Sequence, residues 1–234
     1  MPLPLPPVAS LRDFYAFEQH VKTCRAHRGL AMVPLWYEVP VFYFSNPVAI
    51  IGDGDTVRAP TGSQALDYEL ELACVIGTAA KNLPADDSAM HCVLGFTIMN
   101  DWSARDIQRT EMAVGLGPSK SKDFATSLGP HVVPFADLKD SYRDGRLHLE
   151  MTATVNGKVY SRGNAGSMHW TWPQLLAHAS RDTELRPGDV LGSGTVGTGC
   201  ILELTPEAVG GWLQPGDIVE LSIERIGTLN NRVV

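Results

Sequence analysis

Cysteine is scarce: Cys24, Cys74, Cys92 and Cys200 are the only four in 234 residues. They form no C-x-x-C pair, which removes the main support for a zinc ribbon or a thioredoxin-like centre. They are expected as buried, reduced thiols, and activity is expected to need none of them. Long apolar runs are missing too; nothing approaches the roughly 20 residues needed to cross a bilayer. The first ten residues, MPLPLPPVAS, contain neither a cation nor an unbroken apolar stretch, so they do not read as a secretory signal. They read as an extended, polyproline-like arm over residues 1–9. Positive charge is in deficit, with 19 Lys and Arg against 26 Asp and Glu, a net −7. That balance argues against nucleic acid or an anionic membrane as partner. A cytoplasmic protein is expected.

What is present points to a folded, turn-rich chain. Hydrophobic residues make up 44%, enough for a sizeable core, and 22 Gly with 16 Pro favour many turns and short strands. The length suits one large domain over residues 1–234, and no composition break marks a second. Ser10 and Gly29 bracket a predicted helix over 10–28. Residues 66–76 alternate as a strand, 92–100 read as a buried strand, and a helix is predicted from Trp102 to Met112. The stretch 113–130 reads as a long ordered loop. Residues 147–161 predict a hairpin turning at Asn156-Gly157, followed by a helix over 171–180 and three or four strands.

Glu69 and Glu71 stand at i and i+2 of a predicted strand, so their carboxylates share a side. An exposed strand face would explain them, but the strand is otherwise apolar and a second apolar strand ends in Asn100-Asp101. If the two strands are neighbours, three carboxylates converge at one sheet edge. With no His or Cys among them, such a group suits a hard cation: Mg²⁺, Mn²⁺ or Ca²⁺.

The run Met99-Asn100-Asp101-Trp102-Ser103-Ala104-Arg105-Asp106-Ile107-Gln108 closely resembles a segment of the fumarylacetoacetate hydrolase family, and LDYELELACVIG resembles that family's metal-ligand strand. The similarity continues through Asp13-Phe14-Tyr15, Lys122-Asp123-Phe124-Ala125-Thr126 and LRPGDVLGSGTVGTGCILEL, so it covers nearly the whole chain in order. It implies a β-rich α+β fold, a mixed β-sandwich or roll of the family's C-terminal domain type, in a compact homodimeric member without the separate N-terminal domain. It also implies a divalent ion held by Glu69, Glu71 and Asp101 with Asp13. An Asp in the first turn of a helix is equally explained by the helix dipole. His20 matches the family's water-activating base and Glu203 its orienting carboxylate, although a lone His near a helix end is commonly a surface residue. Arg105, Gln108 and Lys122 match groups that stabilise an enolate or carboxylate. Tyr15, Tyr43 and Thr195 match positions that hold the substrate. Met112 stands where the family's hydrolase has a tyrosine, which bears on substrate identity.

Gly192-Ser193-Gly194-Thr195-Val196-Gly197 fits G-x-G-x-x-G, but a dinucleotide fingerprint must open a helix and CILELT reads as a strand. The glycines are expected to let the backbone pass close to a ligand. The resemblance, with His20 and Glu203 both present, implies a metal-dependent hydrolase of a carbon–carbon bond in a small 2,4-dioxo acid. A decarboxylase, isomerase or hydratase on a related 2-oxo acid is the alternative. A non-catalytic binding protein on the same fold would be expected to have lost the carboxylates.

Overall fold

A computed structural model describes all 234 residues. Two β-sheets face one another across a shared core. The larger runs in spatial order through Leu3–Pro4, His131–Pro134, Val93–Asp101, Leu70–Ile76, Val190–Gly192, Leu11–Phe14 and Phe42–Ser45, with Thr126–Leu128 paired beside Val93–Asp101. The smaller contains Lys158–Asn164, Glu150–Val155, Ile218–Ile223, Gly227–Val233 and Thr56–Val57. Leu11–Phe14 runs parallel to Val190–Gly192 and antiparallel to Phe42–Ser45, so the larger sheet is mixed. The fold is α+β and strand-rich, as expected.

Strand alternation divides the larger sheet chemically. Leu70, Leu72, Cys74 and Ile76 point toward the smaller sheet and join Phe96, Met151, Leu221 and Leu229 in the main core. The opposite face carries Leu11, Ala73, Val75, Met99 and Val190, a small second cluster. Continuing that face two residues along each strand gives Asp13 after Leu11, Glu71 before Ala73 and Asp101 after Met99. Three strands therefore end with a carboxylate on the same side of the same sheet.

The hairpin forms as expected, with Glu150–Val155 and Lys158–Asn164 joined through Asn156 and Gly157, both at positive φ. The helix near 171–180 spans Trp172–Ser180, with a capping box between Thr171 and Gln174. Elsewhere tertiary pairing overrides local signals. The helix expected over 10–28 is confined to Glu18–Ala26, and Asp13 lies on a strand. Its supposed cap, Ser10, instead donates to Asp189 Oδ1 at 2.7 Å and accepts from Arg12, because residues 11–14 are paired on both edges. Asp13 and His20 therefore lie on different elements, a strand and a helix. The helix expected from Trp102 begins at Arg105 and ends at Val114, since Ser103 and Ala104 first pair with Asp67 and Leu66. The loop expected over 113–130 contains a strand, Thr126–Leu128. The N-terminal arm pairs through Leu3–Pro4 with Val132 and His131. ILEL is a four-residue helix, Ile201–Leu204, and not a strand. All four cysteines are free and buried. No helix is long and apolar enough to cross a membrane.

Candidate active site

Asp13, Glu69 and Asp101 bring carboxylate oxygens within 4.8 Å of one another, all buried. Glu71, also buried, completes the group; its oxygens accept from the Gly194 N–H at 3.1 Å and the Thr195 hydroxyl at 3.4 Å. Glu69 precedes the Leu70–Ile76 strand, and its own N–H donates to Asn100 Oδ1 at 2.9 Å, which locks the two apolar strands in register at the site. Gly192 explains one demand of the glycine run. A Cβ there would stand 2.5 Å from Asp13 Oδ1 and 2.4 Å from Met99 Cε, so any side chain would intrude on the carboxylates. At Gly194, φ +82°, a Cβ would stand 2.5 Å from the Phe14 carbonyl oxygen, and the bare backbone presents its N–H to Glu71. The nucleotide reading also fails in the structure, for the four-residue helix starts only at Ile201.

Two buried cations face these acids. Lys122 Nζ bridges Glu69 at 2.6 Å and Asp101 at 2.5 Å, and Arg105 donates to Glu69 Oε1 at 2.7 Å, to Asp67 at 2.8 Å and to Gln108 at 3.0 Å. The Tyr43 hydroxyl donates to Asp101. Five buried carboxyls (Asp13, Asp67, Glu69, Glu71, Asp101) thus stand against two cations. Burial pushes Asp13 and Glu71 well above the usual carboxylate range, and repulsion, from Asp101 on Asp13 and from Asp13 on Glu71, adds to it. Burial also raises Asp101, against the pull of Lys122. Glu69 behaves oppositely: burial is outweighed by Lys122 and Arg105, which hold it far below its ordinary value. Asp13 Oδ1 and Asp101 Oδ1 have no hydrogen-bond partner at all. An excess of buried negative charge with unpartnered oxygens and no soft donor is what a hard divalent cation would satisfy, so the residues present fit one.

His20 and Glu203 meet as expected, at 2.6 Å between Nδ1 and Oε1, with both side chains buried. His20 is not the exposed helix-end residue its position suggested. Burial alone would lower its pKa, but the adjacent Cys200 and Glu203 outweigh that and raise it well above the ordinary value. Glu203 Oε2 accepts from the Thr198 N–H at 3.0 Å, which helps hold Thr198 at φ +67°, a strained conformation for a β-branched residue. The Tyr15 ring stands edge-on to His20, with centroids 5.5 Å apart.

Asp67 was not singled out from the sequence, although it shares the alternating face of Glu69 and Glu71. It receives Arg105 and caps the Ile201–Leu204 helix, accepting from the Ile201 and Leu202 N–H groups at 2.8 and 3.0 Å. One residue thus ties the arginine of the carboxyl cluster to the helix carrying Glu203. The cysteines are free and buried as expected, and two of them that are remote in sequence lie at this pair, Cys24 against His20 and Cys200 against Glu203.

Comparison with known proteins agrees with this geometry. The family profile described as fumarylacetoacetate (FAA) hydrolase C-terminal matches residues 10–234. The chain is 31% identical over 275 residues to a fumarylacetoacetase of Arabidopsis thaliana, covering 92% of this chain and 65% of that one. It is 34% identical over 200 residues to an oxaloacetate tautomerase of Bacillus subtilis, covering 84% and 62%. It therefore matches less than two thirds of the length of either relative. Among solved structures, a fumarylacetoacetate hydrolase from Exiguobacterium antarcticum superposes with a TM-score of 0.76 at 30% identity, covering 98% of this chain and 76% of that one. The chain belongs to the fumarylacetoacetate hydrolase family.

Proposed function

We propose that the protein is a divalent-metal-dependent hydrolase that cleaves a carbon–carbon bond in a small 2,4-dioxo acid, an acylpyruvate or a fumarylacetoacetate-like compound. The observation that carries this reading is a buried His–Glu pair set beside a buried, all-oxygen carboxyl cluster. Asp13, Glu69, Glu71 and Asp101 would hold Mg²⁺, Mn²⁺ or Ca²⁺, which supplies electrostatic stabilisation of negative charge at the oxo-acid end of the substrate.

The remaining steps belong to side chains. With its Nδ1–H donated to Glu203, His20 keeps the lone pair on Nε2 to take a proton from water. The water oxygen adds to the distal carbonyl carbon; the bond from that carbon to C3 breaks, and its electron pair moves into the departing enolate. The proton is then returned to C3, giving a carboxylic acid and a 2-oxo acid. Arg105 and Lys122, with Gln108 steadying the guanidinium, stabilise the enolate charge in a site where few waters compete. In this reading Tyr15, beside His20, with Tyr43 and Thr195, which bond to Asp101 and Glu71, orient the substrate. The reading extends to the chain as one catalytic unit, acting in the cytoplasm as a homodimer, without nucleic-acid or membrane partners.

Enolate chemistry without hydrolytic cleavage of a carbon–carbon bond, as in a tautomerase, isomerase, hydratase or decarboxylase, is the second reading, favoured by the identity to the Bacillus tautomerase. Product analysis with acylpyruvates, oxaloacetate and fumarylacetoacetate, each with Mg²⁺ and with Mn²⁺, separates them. Hydrolysis requires an acid and a 2-oxo acid in equal amounts. Keto–enol interconversion or carbon dioxide as the sole outcome on every substrate transfers the assignment to the second reading.

A further inference from the structure

Two thiols stand at the His20–Glu203 pair and take no part in the proposed reaction. Cys24 follows His20 by one turn of the Glu18–Ala26 helix, and its sulfur lies 3.8 Å from each ring nitrogen. Cys200 immediately precedes the Ile201–Leu204 helix, its sulfur 3.9 Å from Glu203 Oε1. A ligand atom from each of His20, Cys24 and Cys200 lies within 4.8 Å of the others, and all three residues are buried. Around Zn²⁺, with Zn–S of about 2.3 Å and Zn–N of about 2.0–2.1 Å, tetrahedral ligands stand about 3.5–3.8 Å apart. The donors are already within about 1 Å of that spacing, and two of them project from one helix.

From this geometry we propose a second metal site, distinct from the carboxyl cluster, in which His20, Cys24 and Cys200, with Glu203 as fourth donor, take a thiophilic divalent cation such as Zn²⁺. Occupation silences the water-activating pair; that consequence rests on the hydrolytic reading above, whereas the binding does not. The two sites sort metals by donor softness. Sulfur and imidazole favour Zn²⁺ over Mg²⁺, and the all-oxygen group of Asp13, Glu69, Glu71 and Asp101 suits the hard ion. On binding, each thiol releases its proton to solvent, and the imidazole turns so that one nitrogen lone pair faces the ion. That rotation gives up the 2.6 Å contact to Glu203, and the nitrogen that would receive a proton from water becomes a ligand or loses its orientation.

The test uses the reduced, full-length protein saturated with Mg²⁺, with Co²⁺ as the spectroscopic probe and Zn²⁺ as competitor. One equivalent of Co²⁺ should produce a sulfur-to-cobalt charge-transfer band in the near ultraviolet, and Zn²⁺ should bleach it. Mg²⁺-supported turnover should fall along the same Zn²⁺ titration. Cys24→Ser and Cys200→Ser should each remove the band and raise the Zn²⁺ inhibition constant, relative to that variant's own uninhibited rate, by at least about tenfold. Absence of the band in the wild-type protein overturns the proposal, whether or not a variant folds. So does a band that persists undiminished in either variant, or Zn²⁺ inhibition that develops without any thiolate signal. If no oxo acid is turned over, the hydrolytic reading fails while the band still decides the site.

Discussion

Replacing Glu203 with glutamine probes the water-activating pair with the least disturbance of shape. The carboxylate accepts from His20 at 2.6 Å and from the Thr198 N–H at 3.0 Å. Glutamine can offer its carbonyl to only one of them, so if it serves His20, its NH₂ meets the Thr198 N–H, donor against donor. A hydrogen bond to a charged group contributes about 1.5–3 kcal/mol. At 1.36 kcal/mol per unit, losing the carboxylate should lower the His20 pKa by about one to two units. The base must be neutral to act, so activity rises with pH as His20 loses its proton. Glu203→Gln should therefore move the acid limb of kcat/KM to lower pH. The plateau rate should fall by roughly 10- to 100-fold, since the same energy no longer stabilises the imidazolium in the transition state. The assay is kcat/KM on the best acylpyruvate from pH 5 to 9, with melting curves to account for the Thr198 conflict. A lower rate with the acid limb unmoved would refute the argument, because it would leave Glu203 a purely structural role.

His20→Ala should cost hydrolysis about 10²–10⁴-fold while exchange of the substrate's C3 proton with deuterated solvent persists; unchanged hydrolysis by product analysis removes His20 from the mechanism. Glu69→Ala, Glu71→Ala and Asp101→Ala should each abolish activity and weaken Mg²⁺ or Mn²⁺ binding in calorimetric titration. Wild-type affinity in all three would sink the ligand assignment. Gly192→Ala should destabilise by about 1–3 kcal/mol in urea unfolding and impair metal binding, since its methyl would press on Asp13 and Met99; a fully stable, metal-competent variant refutes the close-approach argument. Asp67→Ala should cost about 3–5 kcal/mol by leaving Arg105 without one buried partner and the Ile201 and Leu202 N–H groups uncapped. Unfolding midpoints within error of wild type would show that Asp67 is dispensable.

The sequence by itself placed strands within 66–76 and at 92–100, observed as Leu66–Asp67, Leu70–Ile76 and Val93–Asp101, together with the Asn156-Gly157 hairpin and the shared side of Glu69 and Glu71, because period-two alternation and turn chemistry are local properties. The order of motifs along the chain was also enough to reveal the family. Tertiary structure decided the rest. Residues 11–14 have a helix-start signature, yet pairing on both strand edges draws Asp13 into the larger sheet and brings it beside Glu71 and Asp101. CILELT has a strand's composition, but the backbone there is capped by Asp67, 134 residues earlier in the chain, and turns into a short helix. The same long-range closure places Cys24 and Cys200 at His20 and makes Asp67 the link between Arg105 and the Glu203 helix. Such contacts join positions far apart in the chain, and no local periodicity encodes which distant partner will satisfy a buried donor or charge.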